Sequence, residues 1–235
     1  MFHSIWVAFI VTLAIALVWL RLVDFIAHRG WISSALSRKV IHTGTGLIFV
    51  LCWLFFPDHP AARFLASIIP LGISIQFALV GFGVIKDQAS VDAMSRSGNR
   101  REILRGPLFY GIVFVILTLT FWKSNPIGIT ALMMLCGGDG LADIIGSRIN
   151  SPALPWSTNK SLLGSISMFL GGWIFTIIVL AIYAAVGVFP QPLGTFLLPV
   201  TIISLVAALV ESISIKDFDN ISVPAVSILL GYFLF

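Results

Sequence analysis

Long apolar runs, broken at intervals by short polar stretches, dominate the chain. A helix that crosses the hydrocarbon core of a bilayer needs about 20 mostly apolar residues. Seven runs approach or exceed that length: residues 2–20, 39–56, 64–84, 107–122, 126–146, 162–188 and 193–213. An eighth, 221–235, is shorter and reads as a short span, a half-helix or a re-entrant segment inside the bundle. The pattern predicts an all-α fold: a polytopic transmembrane helix bundle of seven to eight spans, with 1–235 as a single integral-membrane domain. The first run has neither a basic leader nor a small-x-small cleavage site, so it reads as a retained helix and not as a signal peptide. No Arg- and Ser-rich transit segment precedes it, which fits a bacterial or an already processed chain. No internal repeat stands out.

Composition sharpens this picture. Of the 235 residues 58% are hydrophobic and 10% are charged, and the mean hydropathy is +1.04. A soluble domain carries about 25% charged residues, so ten acids and fourteen bases cannot coat a globule of this length. The same apolar content excludes a disordered chain. Cys52 and Cys136 both lie in apolar runs and form no disulfide framework or zinc spacing.

The net charge of +4 is a topology signal and not a nucleic-acid surface. Loop 21–39 holds Arg21, Arg29, Arg38 and Lys39, and loop 85–106 holds Lys86, Arg96, Arg100, Arg101 and Arg105. Loop 147–161 holds Arg148 and Lys160, and loop 214–220 holds Lys216. The alternate connections carry only Arg63 and Lys123, so the division is twelve against two. Basic loops stay on the cytoplasmic side, which sets the N-terminus outside.

The acids break the apolar pattern. Asp139 and Asp143 sit in Gly138-Asp139-Gly140-Leu141-Ala142-Asp143, inside an apolar run, and Glu211 ends another. A carboxylate at the bilayer centre costs about 2.5–3.5 kcal/mol on insertion scales, so such residues tend to face cavities and to be functional. Residues four apart share a helix face, and two carboxylates on one face with flanking glycines read as a Mg²⁺ site completed by substrate phosphates. The competing reading is an ion pair with Arg148 or Lys160 that holds helices together.

Further polar clusters fall on the same face. Asn159-Lys160-Ser161 opens a long apolar run, where a helix N-terminus and a lysine can bind an anion. An interfacial lysine beside a serine cap explains the same residues. Glu211, Asp217 and Asp219 form an acidic group able to join the metal or take a proton, or a solvated loop. Arg38, Lys39 and His42 share a face by their spacing. Arg101 and Arg105 read as phosphate contacts, as topology determinants, or as contacts to acidic lipid headgroups. No Walker A motif or kinase glycine loop is present. The residues alone point to an enzyme that handles a phosphorylated cytosolic substrate and a lipid.

Five motifs occur in order: R-K-x-x-H at 38–42, E-I-L-R-G-P-L-F-Y at 102–110, G-D-G-L-A-D-I-I-G at 138–146, N-K-S-L-L-G-S at 159–165, and E-S…K-D-F-D-N…V-P over 211–224. Together they resemble the polyprenol kinases over about residues 38–231, and the phytol and farnesol kinases most closely. Dolichol kinases and CDP-diacylglycerol synthases are more distant. The resemblance implies γ-phosphoryl transfer from CTP, with Mg²⁺, to a prenyl alcohol such as phytol, farnesol or geranylgeraniol, releasing CDP. In phototrophs such chemistry serves isoprenoid salvage and tocopherol biosynthesis. It implies Asp139, Asp143, Lys160 and Asp219 as the catalytic set and Asp139, Asp143, Glu211 and Asp217 as metal ligands. Asn159, Lys160, Ser161, Gly164, Arg101, Arg105, Arg38, Lys39 and His42 become nucleotide or phosphate contacts. The partners implied are CTP, the prenyl alcohol and membrane lipids, and no protein partner is readable. The implied location is a bacterial inner or thylakoid membrane, or a plastid membrane in a plant, with the site on the cytoplasmic or stromal side. One departure is informative: CDP-diacylglycerol synthases follow K-D-F with a Pro-Gly-His-Gly-Gly run, where this chain has Asp219-Asn220-Ile221-Ser222-Val223-Pro224. A cytidylyltransferase and an ion-coupled transporter with intramembrane acids are the alternatives.

Overall fold

A computed structural model describes residues 2–95, 97–215 and 217–235, without the side chains at 34 and 35. Arg96 and Lys216, counted above among the basic loop residues, lie outside the described residues. Ten helices and one small hairpin are found among them. Helix α1 (Ile5–His28) runs well past the apolar run that predicts it. Arg21, Asp24 and His28 recur at three and four residues on one face, and that face lines a cavity. The helix continues because its polar side chains have somewhere polar to point, and the loop expected at 21–39 shrinks to 29–33.

Helix α2 (Ser34–Cys52) begins at Ser33, whose side chain accepts a hydrogen bond from the Leu36 amide at 3.3 Å. Helix α3 is Ala62–Phe82. The long loop after it folds into α4 (Gln88–Met94) and a 3₁₀ turn, Arg100–Leu104. Asp87 caps α4, and the Ser90 hydroxyl and amide hold its carboxyl below its usual range. Helix α5 (Gly106–Thr120) opens with Pro107 in its first turn, where a missing N–H costs nothing.

The next span is one continuous rod in three pieces: α6 (Pro126–Met133), a π-helical turn (Met134–Gly138) and α7 (Asp139–Gly146). The all-α expectation then meets one exception. Strands β1 (Ala153–Leu154) and β2 (Ser157–Ser161) form an antiparallel hairpin. Pro152 and Pro155 bar a helix here, and strand pairing satisfies the backbone groups instead. Helices α8 (Leu162–Ala185), α9 (Gly194–Ile213) and α10 (Asp219–Leu234) complete the chain.

Among the described residues seven helical segments are long and apolar enough to cross a membrane. Residues 127–138 are buried throughout, so the third-from-last long span forms the axis of the bundle. Its neighbour α8 approaches closely because the contact is made of glycines. A Cβ on Gly137 would stand 2.6 Å from the Phe175 ring, and one on Gly171 2.7 Å from the Gly137 carbonyl oxygen. Small residues at such contacts let helices pack tightly where no hydrophobic drive operates between them. By contrast α1 packs chiefly on α2 and leaves Trp6, Ile10, Leu17 and Val18 exposed, as a lipid-facing helix does.

Helix α10 settles the choice left open for 221–235. Asp219 lines the cavity at one end of the bundle. At the other end Tyr232 meets Phe121 at 5.8 Å and Phe235 meets Phe196 at 6.1 Å between ring centroids. The helix is therefore a short rod running through the whole bundle and not a re-entrant segment. Described residues of the connections 83–105, 147–161 and 214–218 line this same cavity. At the opposite end Lys123 is buried, donating to the Phe56 carbonyl at 2.7 Å and pairing with Asp58 at 2.8 Å.

Candidate active site

The polar residues gather where four elements end together. The π-helical turn carries one more residue per turn than an α-helix, and such turns often mark functional sites. Here it sits directly before Asp139 and sets the direction in which that carboxylate leaves the rod. Glu211 comes from the last turn of α9 and Asp219 from the first turn of α10. All three acids are buried, at 7%, 3% and 9% exposure. One carboxylate oxygen from each lies within 4.8 Å of the others.

Lys160 balances this cluster. It reaches in from β2, pairs with Glu211 and stands 3.5 Å from Asp219 Oδ2. The hairpin that delivers it is fastened to α9, where Trp156 Nε1 donates to Ser212 Oγ at 3.1 Å. Asp219 Oδ1 meanwhile accepts from the Asn220 amide at 3.0 Å, a favourable place for a carboxylate at a helix N-terminus.

The membership of the cluster differs from the expected metal set of Asp139, Asp143, Glu211 and Asp217. Asp143 does follow Asp139 by one turn, but it forms an ion pair with Lys39 of α2. Asp217 stands apart at the turn into α10. Its backbone is left-handed, with φ of +69°, a conformation that aspartate tolerates better than most residues. That turn lets its carbonyl accept from Asn220 Nδ2 at 3.3 Å and sets its carboxylate over Gly106.

The early basic element divides. Arg38 Nη1 donates to the Ser95 carbonyl at 2.9 Å and ties α2 to the end of α4. His42 packs its ring against Tyr110, 4.1 Å between centroids, and Tyr110 Oη donates to the His42 carbonyl at 2.7 Å. Arg101, Arg105 and Asn159 are exposed and line the mouth of the cavity. Ser161 and Gly164 sit in the α7–α8 contact and not in the cavity wall. Ser161 Oγ accepts from the Gly164 amide at 3.2 Å, and Gly164 allows Gly146 to pass close by.

A cavity of about 2350 Å³ connects these groups. Its polar end holds Lys39, Asp139, Asp143, Lys160, Asp219 and Asn220. From there an apolar arm descends between α1, α2, α3 and α5. Two contributors to this space had no assigned role in the sequence reading. Tyr110 was visible as a lone phenol in an apolar run one turn beyond Pro107. Helix α1 carried its signal in the spacing of Arg21, Asp24 and His28.

With this geometry in hand, comparison with known proteins is decisive. The chain is 40% identical over 217 residues to a protein of Oryza sativa subsp. japonica named probable phytol kinase 1, chloroplastic, covering 92% of this chain and 69% of the relative. It is 38% identical over 214 residues to phytol kinase 1, chloroplastic, of Arabidopsis thaliana, covering 90% and 70%. It is 37% identical over 230 residues to the farnesol kinase, chloroplastic, of the same plant, covering 97% and 75%. The chain belongs to the phytol and farnesol kinase family. No family model and no solved structure matches it.

In this phytol and farnesol kinase relative the charge of Lys160 is secure. Burial works against the ammonium, but the carboxylates of Glu211 and Asp219 outweigh it and hold Lys160 above its usual value. The sign follows directly: a raised value in the fold means the stabilisation is complete below the unfolded value of 10.5 and is lost as pH rises through the folded one. Lys160 is thus a cation throughout the neutral range.

Proposed function

We propose that this enzyme transfers the terminal phosphoryl group of CTP to the hydroxyl of a membrane-embedded prenyl alcohol, releasing CDP. One observation carries the reading: a buried acid cluster with its own lysine stands at the polar end of a cavity whose other end is apolar. An amphiphilic acceptor needs both ends. The family names of the relatives support phytol, farnesol or a similar alcohol as that acceptor.

In the transfer the alcohol oxygen forms a bond to the γ-phosphorus while the bond from that phosphorus to the β–γ bridging oxygen breaks. The hydroxyl proton passes to a carboxylate, for which Asp219 is the proposed acceptor, and the leaving oxygen departs as CDP. Such transfer depends on positioning and on neutralising charge more than on covalent chemistry. Lys160 neutralises the transferring group, and Arg101 and Arg105 draw the nucleotide phosphates to the mouth. Lys39, held by Asp143, adds positive charge beside them. The oxygens of Asp139, Glu211 and Asp219 fit Mg²⁺, a hard ion that prefers carboxylates together with substrate phosphates. When bound, Mg²⁺ supplies neutralisation of the phosphate oxygens.

The basic loops and the site face the cytoplasm or stroma in this reading. The chloroplastic relatives support a plastid membrane as the location. The test uses purified protein in nanodiscs with γ-labelled CTP, Mg²⁺ and phytol. Labelled prenyl monophosphate and CDP in equal amounts are expected. Pyrophosphate release on addition of phosphatidate, with no labelled lipid, would establish cytidylyl transfer instead.

A further inference from the structure

The apolar arm has a top and a floor. At its top three polar atoms are buried without a hydrogen-bond partner in the protein: His42 Nδ1, Thr45 Oγ1 and Trp19 Nε1. All three residues line the cavity. Such atoms suit a hydroxyl-bearing ligand, because a buried polar group left unpaired costs about 1–3 kcal/mol. Below Thr45 the lining on α2 continues through Ile48 and Phe49 and stops at Cys52, with Thr12 of α1 also at this depth. The next turn is solid. Ala8, Phe56, Ala62 and Ala66 are fully buried against one another and close α1 onto α3. The arm is therefore blind at its deep end.

We propose that this arm holds the isoprenoid tail of the acceptor, and that Thr12 and Cys52 form a floor that sets the longest chain the enzyme accepts. The inference rests on the prenyl alcohol kinase reading above. From His42 to Cys52 the arm follows ten residues of helix, about 15 Å. An extended chain advances roughly 1.25 Å per carbon–carbon bond, so the twelve-carbon main chain of farnesol spans about 14 Å and the sixteen-carbon main chain of phytol about 19 Å. Farnesol spans the arm from His42 almost to its floor, and phytol fits only with its hydroxyl end about 4 Å above His42, in the polar part of the cavity, and its far end on the floor. Chain length is thereby read at a point remote from the phosphate chemistry, by two small side chains.

The test is kcat/KM for geraniol, farnesol and phytol in the wild type, in Cys52→Phe and in a Thr12→Ala/Cys52→Ala double variant. Raising the floor with Cys52→Phe is expected to leave geraniol within about twofold and to lower phytol by about 10–100-fold, the range that a few misplaced carbons cost in an apolar pocket. Lowering the floor keeps geraniol and raises phytol relative to farnesol, and this arm of the test stands if the phenylalanine variant does not fold. Equal losses for all three alcohols, or unchanged ratios in both variants, overturn the gauge. Unchanged ratios would mean that the tail leaves sideways between α1 and α3 into the bilayer. A wild type that phosphorylates none of the alcohols fails the kinase reading itself, a result separate from any change in ratio.

Discussion

An Asp139→Asn protein purifies as a folded bundle and transfers phosphate about 10²–10³-fold more slowly than the wild type, the loss that follows removal of one preorganised charge from a transfer site. The amide keeps the shape of the side chain but not its charge. What makes this residue informative is that stability and activity are expected to part. Asp139 is buried and lies within 4.8 Å of two other carboxylates. Removing one of three like charges from such a place relieves repulsion, so the unfolding midpoint stays level or rises, as is common when a functional site is neutralised. Turnover assays and thermal unfolding on the same preparation decide the matter. Near-wild-type turnover removes Asp139 from the chemistry. A collapsed midpoint makes it a structural residue.

Lys160→Met has the opposite stability signature. Glu211 and Asp219 lose their counter-charge while still buried. Removing one partner of a buried ion pair costs about 3–5 kcal/mol, because the other is left uncompensated. Activity is expected to fall at least as far as in Asp139→Asn. The two effects separate in a Lys160→Met/Glu211→Gln double variant, in which the charge is removed on both sides. Stability should recover there, since a buried pair replaced as a pair is often neutral, and activity should not. Recovery of both would assign Lys160 to holding α9 against the hairpin and nothing more. Lys160→Arg is a further control: a planar guanidinium does not substitute for a compact ammonium wedged between two acids.

The architecture was largely legible beforehand, and for a physical reason. Bilayer thickness fixes helix length, so Leu162–Ala185 or Gly194–Ile213 could hardly be anything else. Asp139 and Glu211 were equally conspicuous, because charge in an apolar run is costly, whereas Lys160 and Asp219 lie in polar connections just before apolar runs and drew notice only through their motifs. The grouping of the four was not legible. Spacing correctly placed Asp139 and Asp143 on one face, but it could not show that Lys39 arrives from α2 to take Asp143. That contact depends on how two helices cross. The hairpin at 153–161 escaped notice for another reason: β1 is two residues long, too short for any alternation to register. The extension of α1 to His28 was hidden because hydropathy alone cannot distinguish a polar loop from a helix with one wet face.

The π-helical turn at Met134–Gly138 has a consequence for how this enzyme tolerates change. Each residue turns an α-helix by about 100°. A chain shortened by one residue within that turn could relax to regular helix, with every functional letter intact, and Asp139 would then point about 100° away from Glu211 and Asp219. No exchange of one amino acid for another would reveal this. A deletion scan would, as a single missing residue that silences an otherwise complete set of catalytic groups. In this segment the number of residues is as much a part of the active site as their identity.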